Sequence, residues 1–305
     1  MGRLQTRAEL DRALDRVGSR FSGEIGFAAK NLKTGEVVEI NAETIFPTAS
    51  VIKLAILIEV FRRAAEEGLD LYGRITLREC DIVRGSGILK ELGPGLEPTV
   101  YDLATLMVVL SDNTATNMLI DLVGGVDPVN RTVQDRLGLR TIVLHNRIDF
   151  DRIGDDVRRL AESSARDMAK LVEMLVNREV VDPASSEAMI DIMRRQQYLD
   201  QVPRYFNFNP YAKELRLEQA IWVGCKTGFF PGTRIDAGTI RLPDDVFLTY
   251  CAMTDDSSDK SIAAEIEGVV VNGLLGRLIL EYWWPGGSMP QDAVLPSPYV
   301  DAVLQ

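Results

Sequence analysis

Apolar positions change their period several times along this chain. Leu10, Leu14 and Val17 fall on one helical face and predict an amphipathic helix over residues 7–18. Two strand-like runs follow, 24–31 and 36–40, joined by Leu32-Lys33-Thr34-Gly35 and read as a hairpin. The stretch from Val51 to Phe61 is apolar almost all round, so a buried helix over 50–67 is expected, stopped by Gly68. Residues 73–98 are punctuated by Gly and Pro. Helical patterns return at 99–110, 114–123 and 128–137, and again at 163–177 and 183–196. The Asp- and Arg-rich stretch 140–162 has weak periodicity and reads as a connection. Strand patterns reappear at 220–227, 235–241 and 246–253, before a final helix over 260–282. The tail after Pro285 reads as an extended wrap.

Strands at both ends of a helical middle predict a mixed α+β fold. One antiparallel sheet is built from both chain ends with flanking helices, and an all-helical lobe is inserted between. The expected division is an α/β lobe of residues 1–45 and 210–305 and a helical lobe of 46–209. A ligand site is expected in the cleft between them.

Composition narrows the chemistry. The 305 residues are 46% hydrophobic and 26% charged, with a net charge of −11. An acidic surface repels phosphate backbones, which argues against nucleic acid as a partner. A single histidine, His145, rules out a multi-histidine metal site, makes a Ser-His-Asp triad improbable and reads as structural. No metal and no cofactor are expected. Cys80, Cys225 and Cys251 form no disulfide framework. All three read as small buried hydrophobes, with one bridge allowed among them. No apolar run of about 18 residues is present to span a membrane. The charged first twenty residues are unlike a signal peptide, which leaves a cytoplasmic protein or one made without its leader. The expected partner is a small molecule, and the expected state a monomer.

Ser50 stands at the mouth of the buried helix. Its plain reading is an N-cap. Lys53, three residues on, shares its helix face. A lysine in the first turn of an apolar helix meets the positive helix end and loses water, and both effects depress its pKa towards that of a general base. A hydroxyl beside such an amine is an activated nucleophile. Ser-x-x-Lys alone arises by chance about once in a chain of this length, so partners are needed. Ser111-Asp112-Asn113 interrupts two helical segments, and Lys226-Thr227-Gly228 ends an apolar strand. Each taken alone is also a good cap or turn. Lys33-Thr34-Gly35 has the same letters as the second and is read as the hairpin turn.

In this order, S-x-x-K, S-D-N and K-T-G resemble the motifs of class A β-lactamases and penicillin-binding proteins. Phe46-Pro47, Gly85-Ser86-Gly87-Ile88-Leu89, Asp112 to Asn117 and Pro231-Gly232-Thr233-Arg234 extend the resemblance over most of the chain. It implies that Ser50 is acylated, that Lys53 takes its proton and that Ser111 relays a proton to the leaving nitrogen. Asn113 would hold Lys53 and the substrate amide, and Lys226 would supply positive charge. The N–H groups of Ser50 and Phe229, the residue after Gly228, would form the oxyanion hole. Thr227 and Arg234 would bind a substrate carboxylate, although Arg234 has a second reading as a salt bridge to Asp236.

One part of that pattern is missing. The family carries E-x-x-L-N, whose glutamate activates the deacylating water. Between residues 140 and 170 the only glutamate is Glu162, and it is not followed by that motif. The nearest match is Arg147-Ile148-Asp149, whose acid is one carbon shorter, with Glu162 expected to pair with Arg147. The resemblance therefore implies a serine hydrolase with possible slow deacylation at Asp149. A penicillin-binding-like peptidase, amidase or esterase stays open, as does an idle binder of peptide or cell-wall fragments.

Overall fold

The computed structural model describes residues 4–289. In chain order the elements are α1 (Arg7–Gly18), β1 (Glu24–Asn31), β2 (Val37–Ile40), β3 (Ile45–Pro47), α2 (Lys53–Glu67), α3 (Val100–Val109), α4 (Asn113–Leu122), α5 (Val126–Arg131), β4 (Val143–Leu144), α6 (Phe150–Ile153), β5 (Ala161–Ser164), α7 (Ala165–Val176), α8 (Pro183–Met193), β6 (Trp222–Phe230), β7 (Thr233–Arg241), β8 (Phe247–Asp255) and α9 (Glu267–Trp283). The main sheet runs β2-β1-β8-β7-β6 and is antiparallel throughout. β1 pairs with β8 from Glu24 opposite Asp255 to Asn31 opposite Leu248, so both ends of the chain share one sheet, as the pattern predicts.

Strand alternation gives the sheet two apolar faces. Phe27, Val223, Ile240, Leu248 and Tyr250 pack with Leu10 and Leu14 of α1 and with Val270, Leu274 and Leu278 of α9. Ala28, Ile235, Ala237, Cys251 and Met253 join a larger core with α2, α3, α4, α7 and α8. α2 lies at the centre of that core, and every residue from Lys53 to Arg62 is buried. A helix surrounded by others has no polar face, which is why its sequence shows almost none.

Glu59 is the exception inside α2, and it is fully buried. Its carboxylate accepts from Arg62 Nε at 2.7 Å, Arg62 Nη2 at 2.8 Å, Arg63 Nε at 2.8 Å and Thr132 Oγ1 at 2.7 Å. These donors hold it ionised below its ordinary pKa although burial alone pushes it up. The cluster ties α2 to the helical turn after α5.

The structure departs from the pattern in several places. The stretch 140–162 contains β4, α6 and the start of β5, and β3-β5-β4 form a second small sheet. Strands of two to four residues carry too little alternation to show in sequence. For the same reason residues 163–164 are extended, and α7 starts at Ala165 with Ser164 as its N-cap. α9 begins at Glu267 instead of 260, because Asp259 accepts from the N–H groups of Ser261 and Glu267 and holds the chain in a turn. Ser50 caps nothing: it lies inside a 3-10 turn, Ala49–Ile52, that precedes α2. Cys225 and Cys251 are buried, but Cys80 is exposed on a short turn beside Asp81, and all three are free thiols. Arg147 pairs with Asp121 at 3.2 Å, and Glu162 pairs with the ring of His145 at 3.0 Å, so the expected Arg147–Glu162 pair is not formed. Lys33-Thr34-Gly35 is the hairpin turn, with Lys33 N donating to Asn31 Oδ1 and Gly35 in the left-handed region. The tail beyond residue 289 lies outside the described residues.

Removing the Glu59 carboxylate leaves buried guanidinium and hydroxyl groups short of a partner. Glu59→Ala is expected to lower stability by about 3 kcal/mol, read from the midpoint of urea denaturation.

Candidate active site

Three elements converge on Ser50. The 3-10 turn carrying it opens at Ala49, whose φ of +43° is left-handed. A non-glycine residue there stores strain, which tends to gather at sites of function. The turn sets Ser50, half-buried, at the edge of a cleft of about 610 Å³. β6 runs past the same turn. A Cβ on Gly228 would come within 2.8 Å of Thr48 O and 3.2 Å of Ser50 N, so only glycine allows the strand this close. That approach brings the strand at Gly228 close to the Ser50 amide.

Lys53 opens α2, one turn further in, with no measurable exposure. Its Nζ contacts Ser111 O at 2.7 Å, Asn113 Oδ1 at 3.0 Å and Ser111 Oγ at 3.1 Å. None of these acceptors is charged. Burial pushes its pKa well down, and the neighbouring Lys226 charge pushes the same way. Lys226 is equally buried and reaches Ser111 Oγ at 3.1 Å and Thr227 O at 2.5 Å. Burial lowers its pKa to about 7. One hydroxyl, that of Ser111, therefore bridges two lysines of depressed basicity. A hydroxyl both accepts and donates, so the trio can pass a proton along.

The break between α3 and α4 makes this possible. Ser111 has φ +53° and turns its carbonyl and hydroxyl together toward Lys53. Asp112 caps α4 through Ala115 N at 2.9 Å and accepts Ile88 N at 2.7 Å and Leu89 N at 2.8 Å. It thereby pins the loop 84–89 onto the break. Gly87 permits the contact, since a Cβ there would lie 2.3 Å from the Asp112 carboxylate. Ser86 Oγ then reaches Ser111 O at 2.7 Å and Asn113 Oδ1 at 3.2 Å. Ser86 was not singled out by sequence reasoning; the glycines on either side were the signal.

The far wall of the cleft is apolar. Ile148, Phe150, Ile153, Val157 and Leu160 line it. Asn117 grips the backbone of Ile148 from both sides, Nδ2 to Ile148 O and Ile148 N to Oδ1, each 2.8 Å. Asp149, between two wall residues, does not line the cleft among the described residues. Its Oδ1 caps α6, accepting Asp151 N at 3.0 Å, and Arg152 lies 3.5 Å from its other oxygen. The one carboxylate among the lining residues is Asp200.

Arg234 lies at the opposite rim. Its guanidinium stacks 3.9 Å from the Phe229 ring centroid and donates to Phe230 O at 2.6 Å and Thr233 O at 2.7 Å. Burial lowers its pKa to about 10. Asp236 takes no part: it accepts Val202 N at 3.0 Å, so the alternative Arg234–Asp236 bridge is not formed. Thr227 and Phe229 also line the cleft, whereas Gly228 serves through its backbone approach. Among the described residues no His, Cys, Asp and Glu cluster could hold a metal ion.

The motif order and this geometry coincide with one family, whose model, the beta-lactamase enzyme family, matches residues 9–283. The chain belongs to that family. A solved β-lactamase from Sphaerobacter thermophilus is 29% identical, with 90% of this chain and 97% of that one covered and a TM-score of 0.79. A mutant of PBP-A, solved as an acyl-enzyme complex with penicillin G, is 25% identical over 91% of this chain and 96% of that one, with a TM-score of 0.77. Among curated proteins, β-lactamase L2 of Stenotrophomonas maltophilia is 26% identical over 178 residues, 55% of each chain. β-Lactamase BRO-1 of Moraxella catarrhalis is 28% identical over 131 residues, 42% of this chain and 41% of its own. The chain spans about half the length of the curated relatives it matches. The fold is likewise the one those solved structures share.

The buried lysines cost stability, and the sign of that cost can be tested. A Lys226 pKa near 7 when folded, against an ordinary 10.5, means the unfolded chain binds more protons between those values. The penalty is full below pH 7 and fades as pH rises towards 10.5. Lys226→Met is expected to be more stable than the wild type at pH 7, with the gap closing by pH 10, measured by urea denaturation at both pH values.

Proposed function

We propose that the protein is a serine hydrolase acylated at Ser50 by a β-lactam or a peptide-like amide, and that it releases the acyl group slowly. The observation that carries the reading is the Lys53–Ser111–Lys226 network beside a serine held against the backbone of β6. In this reading Lys53, as a neutral amine, takes the Ser50 proton while Oγ bonds the carbonyl carbon. The amides of Ser50 and Phe229 stabilise the oxyanion. As the carbon–nitrogen bond breaks, Ser111 hands a proton to the leaving nitrogen, and Lys226 keeps the local potential positive. Asn113 orients Lys53 and the substrate amide. Thr227 and Arg234 receive the substrate carboxylate, for which the guanidinium has no acidic competitor in hydrogen-bond contact. The lobes of residues 1–45 with 210–305, and of 46–209, remain the division we favour, with Ser50 at the seam. The PBP-A mutant solved with penicillin G as an acyl-enzyme is consistent with such an adduct here.

Slow release follows from the apolar wall. Water must be activated to attack the ester, and a carboxylate within hydrogen-bond range is the usual means. Asp149 instead caps α6, and Ile148 and Phe150 face the cleft. The same observation favours a second reading, a penicillin-binding-like peptidase whose acyl group passes to an acceptor better than water.

Mixing the protein with penicillin G and recording intact mass over time separates these outcomes. A persistent adduct on Ser50 is expected, absent in Ser50→Ala. Rapid turnover would refute slow release, and no adduct with any β-lactam or peptide-like ester would refute the reading itself. Asp149→Asn, which still caps a helix, is expected to leave the rate of adduct loss unchanged. Phe150→Glu places a carboxylate beside Asn113 and is expected to speed adduct loss at least tenfold, since one positioned base contributes about a hundredfold or more. Both side chains flank Gly85: a Cβ there would lie 2.6 Å from Asn113 Nδ2 and 3.1 Å from the tip of the Phe150 ring.

A further inference from the structure

Lys53 is tied to two oxygens that a second donor shares. Its Nζ lies 2.7 Å from Ser111 O and 3.0 Å from Asn113 Oδ1. Ser86 Oγ approaches the same pair, at 2.7 Å and 3.2 Å. Each oxygen has two lone pairs, so both donors can be bound together. The loop that delivers Ser86 is built for close approach. Gly85 and Gly87 have φ of +99° and +105°, and a Cβ on Gly85 would sit 2.6 Å from Asn113 Nδ2. Asn113 Nδ2 in turn donates to Arg84 O at 3.1 Å, which locks the loop to the amide whose oxygen Ser86 faces.

This sharing has two physical consequences. The oxygens of Ser111 and Asn113 place negative potential at Nζ and so favour the ammonium. A hydroxyl donating to them cancels part of that potential. Further, Lys53 must turn its lone pair to Ser50 to take a proton, which loosens its grip on those acceptors. An acceptor left bare in a buried site is costly, and Ser86 keeps it partnered.

We propose that Ser86 is a positioning residue for Lys53, sharing its one hydroxyl proton between Ser111 O and Asn113 Oδ1 so that the neutral amine competent to deprotonate Ser50 is favoured. The proposal deepens the serine-hydrolase reading, and its kinetic part rests on that reading. The charged groups bearing on Lys53 are Lys226 from β6 and Asp112 at the head of α4. Lys226 opposes the ammonium and Asp112 supports it. Ser86 shifts this balance without adding a charge, and its hydroxyl reaches the site from the open cleft.

The test uses the full chain with Ser86→Ala and Ser86→Thr. The Lys53 side chain is titrated by carbon NMR of 13C-labelled lysine, assigned with Lys53→Met, and acylation by penicillin G is followed from pH 5 to 10. In Ser86→Ala, Lys53 is expected to titrate about half to one unit higher. Because the reactive form is the neutral amine, the acid limb of acylation then moves to higher pH. The rate falls about three- to tenfold at acidic pH and converges on the wild type at alkaline pH, and Ser86→Thr restores both. A Lys53 titration equal in wild type and Ser86→Ala overturns the proposal, as does a rate lowered by the same factor at every pH. If the wild type is acylated by no probe, the hydrolase reading fails, while the titration still decides the role of Ser86.

Discussion

A lysine buried without a carboxylate in direct contact is the constraint on which the site depends. Among the described residues Lys53 has no carboxylate in contact; three neutral oxygen contacts take its place. An unpaired buried ammonium is expensive, so the group is driven toward the neutral amine. Neutral acceptors can steady that amine without pinning its proton, whereas a carboxylate would restore its ordinary basicity. The consequence spreads outward. Two of the three contacts come from Ser111, which presents both its carbonyl and its hydroxyl from the left-handed region. That conformation breaks the helical run into α3 and α4, and Asp112 restores order by capping the second piece and binding the loop 84–89.

Glycines in this region follow from the same demand. Gly87 yields to the Asp112 carboxylate, and Gly228 yields to the turn before Ser50. Each lets backbone approach where a side chain would push the elements apart. The sheet contributes rigidity. β6 is its edge strand, held along its length by β7, so Lys226, Gly228 and Phe229 reach the cleft from a fixed frame. Lys226 adds a second buried amine on the Ser111 hydroxyl, and each disfavours charge on the other.

Much of this was legible in the sequence because strong physical demands leave strong patterns. The all-apolar run after Ser50 could only be an interior helix, and Lys53 within it was conspicuous for that reason. Strand patterns at both chain ends announced the shared sheet. What stayed hidden was built from short or ambiguous pieces. β4 and β5 are too brief to alternate visibly, so the stretch 140–162 read as a bare connection. Ser50 resembled a cap because serine before an apolar run usually is one, and the left-handed Ala49 that turns it into the cleft has no residue signature. Ser86 is a small polar residue in a loop, and only its position relative to Ser111 and Asn113 gives it meaning. Cys80 read as buried on residue type alone, although its neighbour Asp81 is the side chain that turns inward.

The two halves of a hydrolytic cycle make different demands on a fold, and this structure meets them unequally. In the reading proposed above, acylation needs a nucleophile, a base and hydrogen-bond donors fixed relative to one another, and Ser50, Lys53 and the backbone of β6 would supply them from the core. Deacylation needs a water held and polarised beside the ester, and the wall that the connection over 140–162 gives the cleft is apolar. That connection is not loose. Asn117 clamps Ile148 at both its N–H and its carbonyl, and β5 anchors the far end against β3 and β4. A firmly held wall that presents isoleucine and phenylalanine offers a deacylating water no carboxylate there. The short acid Asp149 does not soften this, because its carboxylate is engaged by the first turn of α6. On the proposed reading, the same scaffold would keep its acylating groups and yet protect the ester they form.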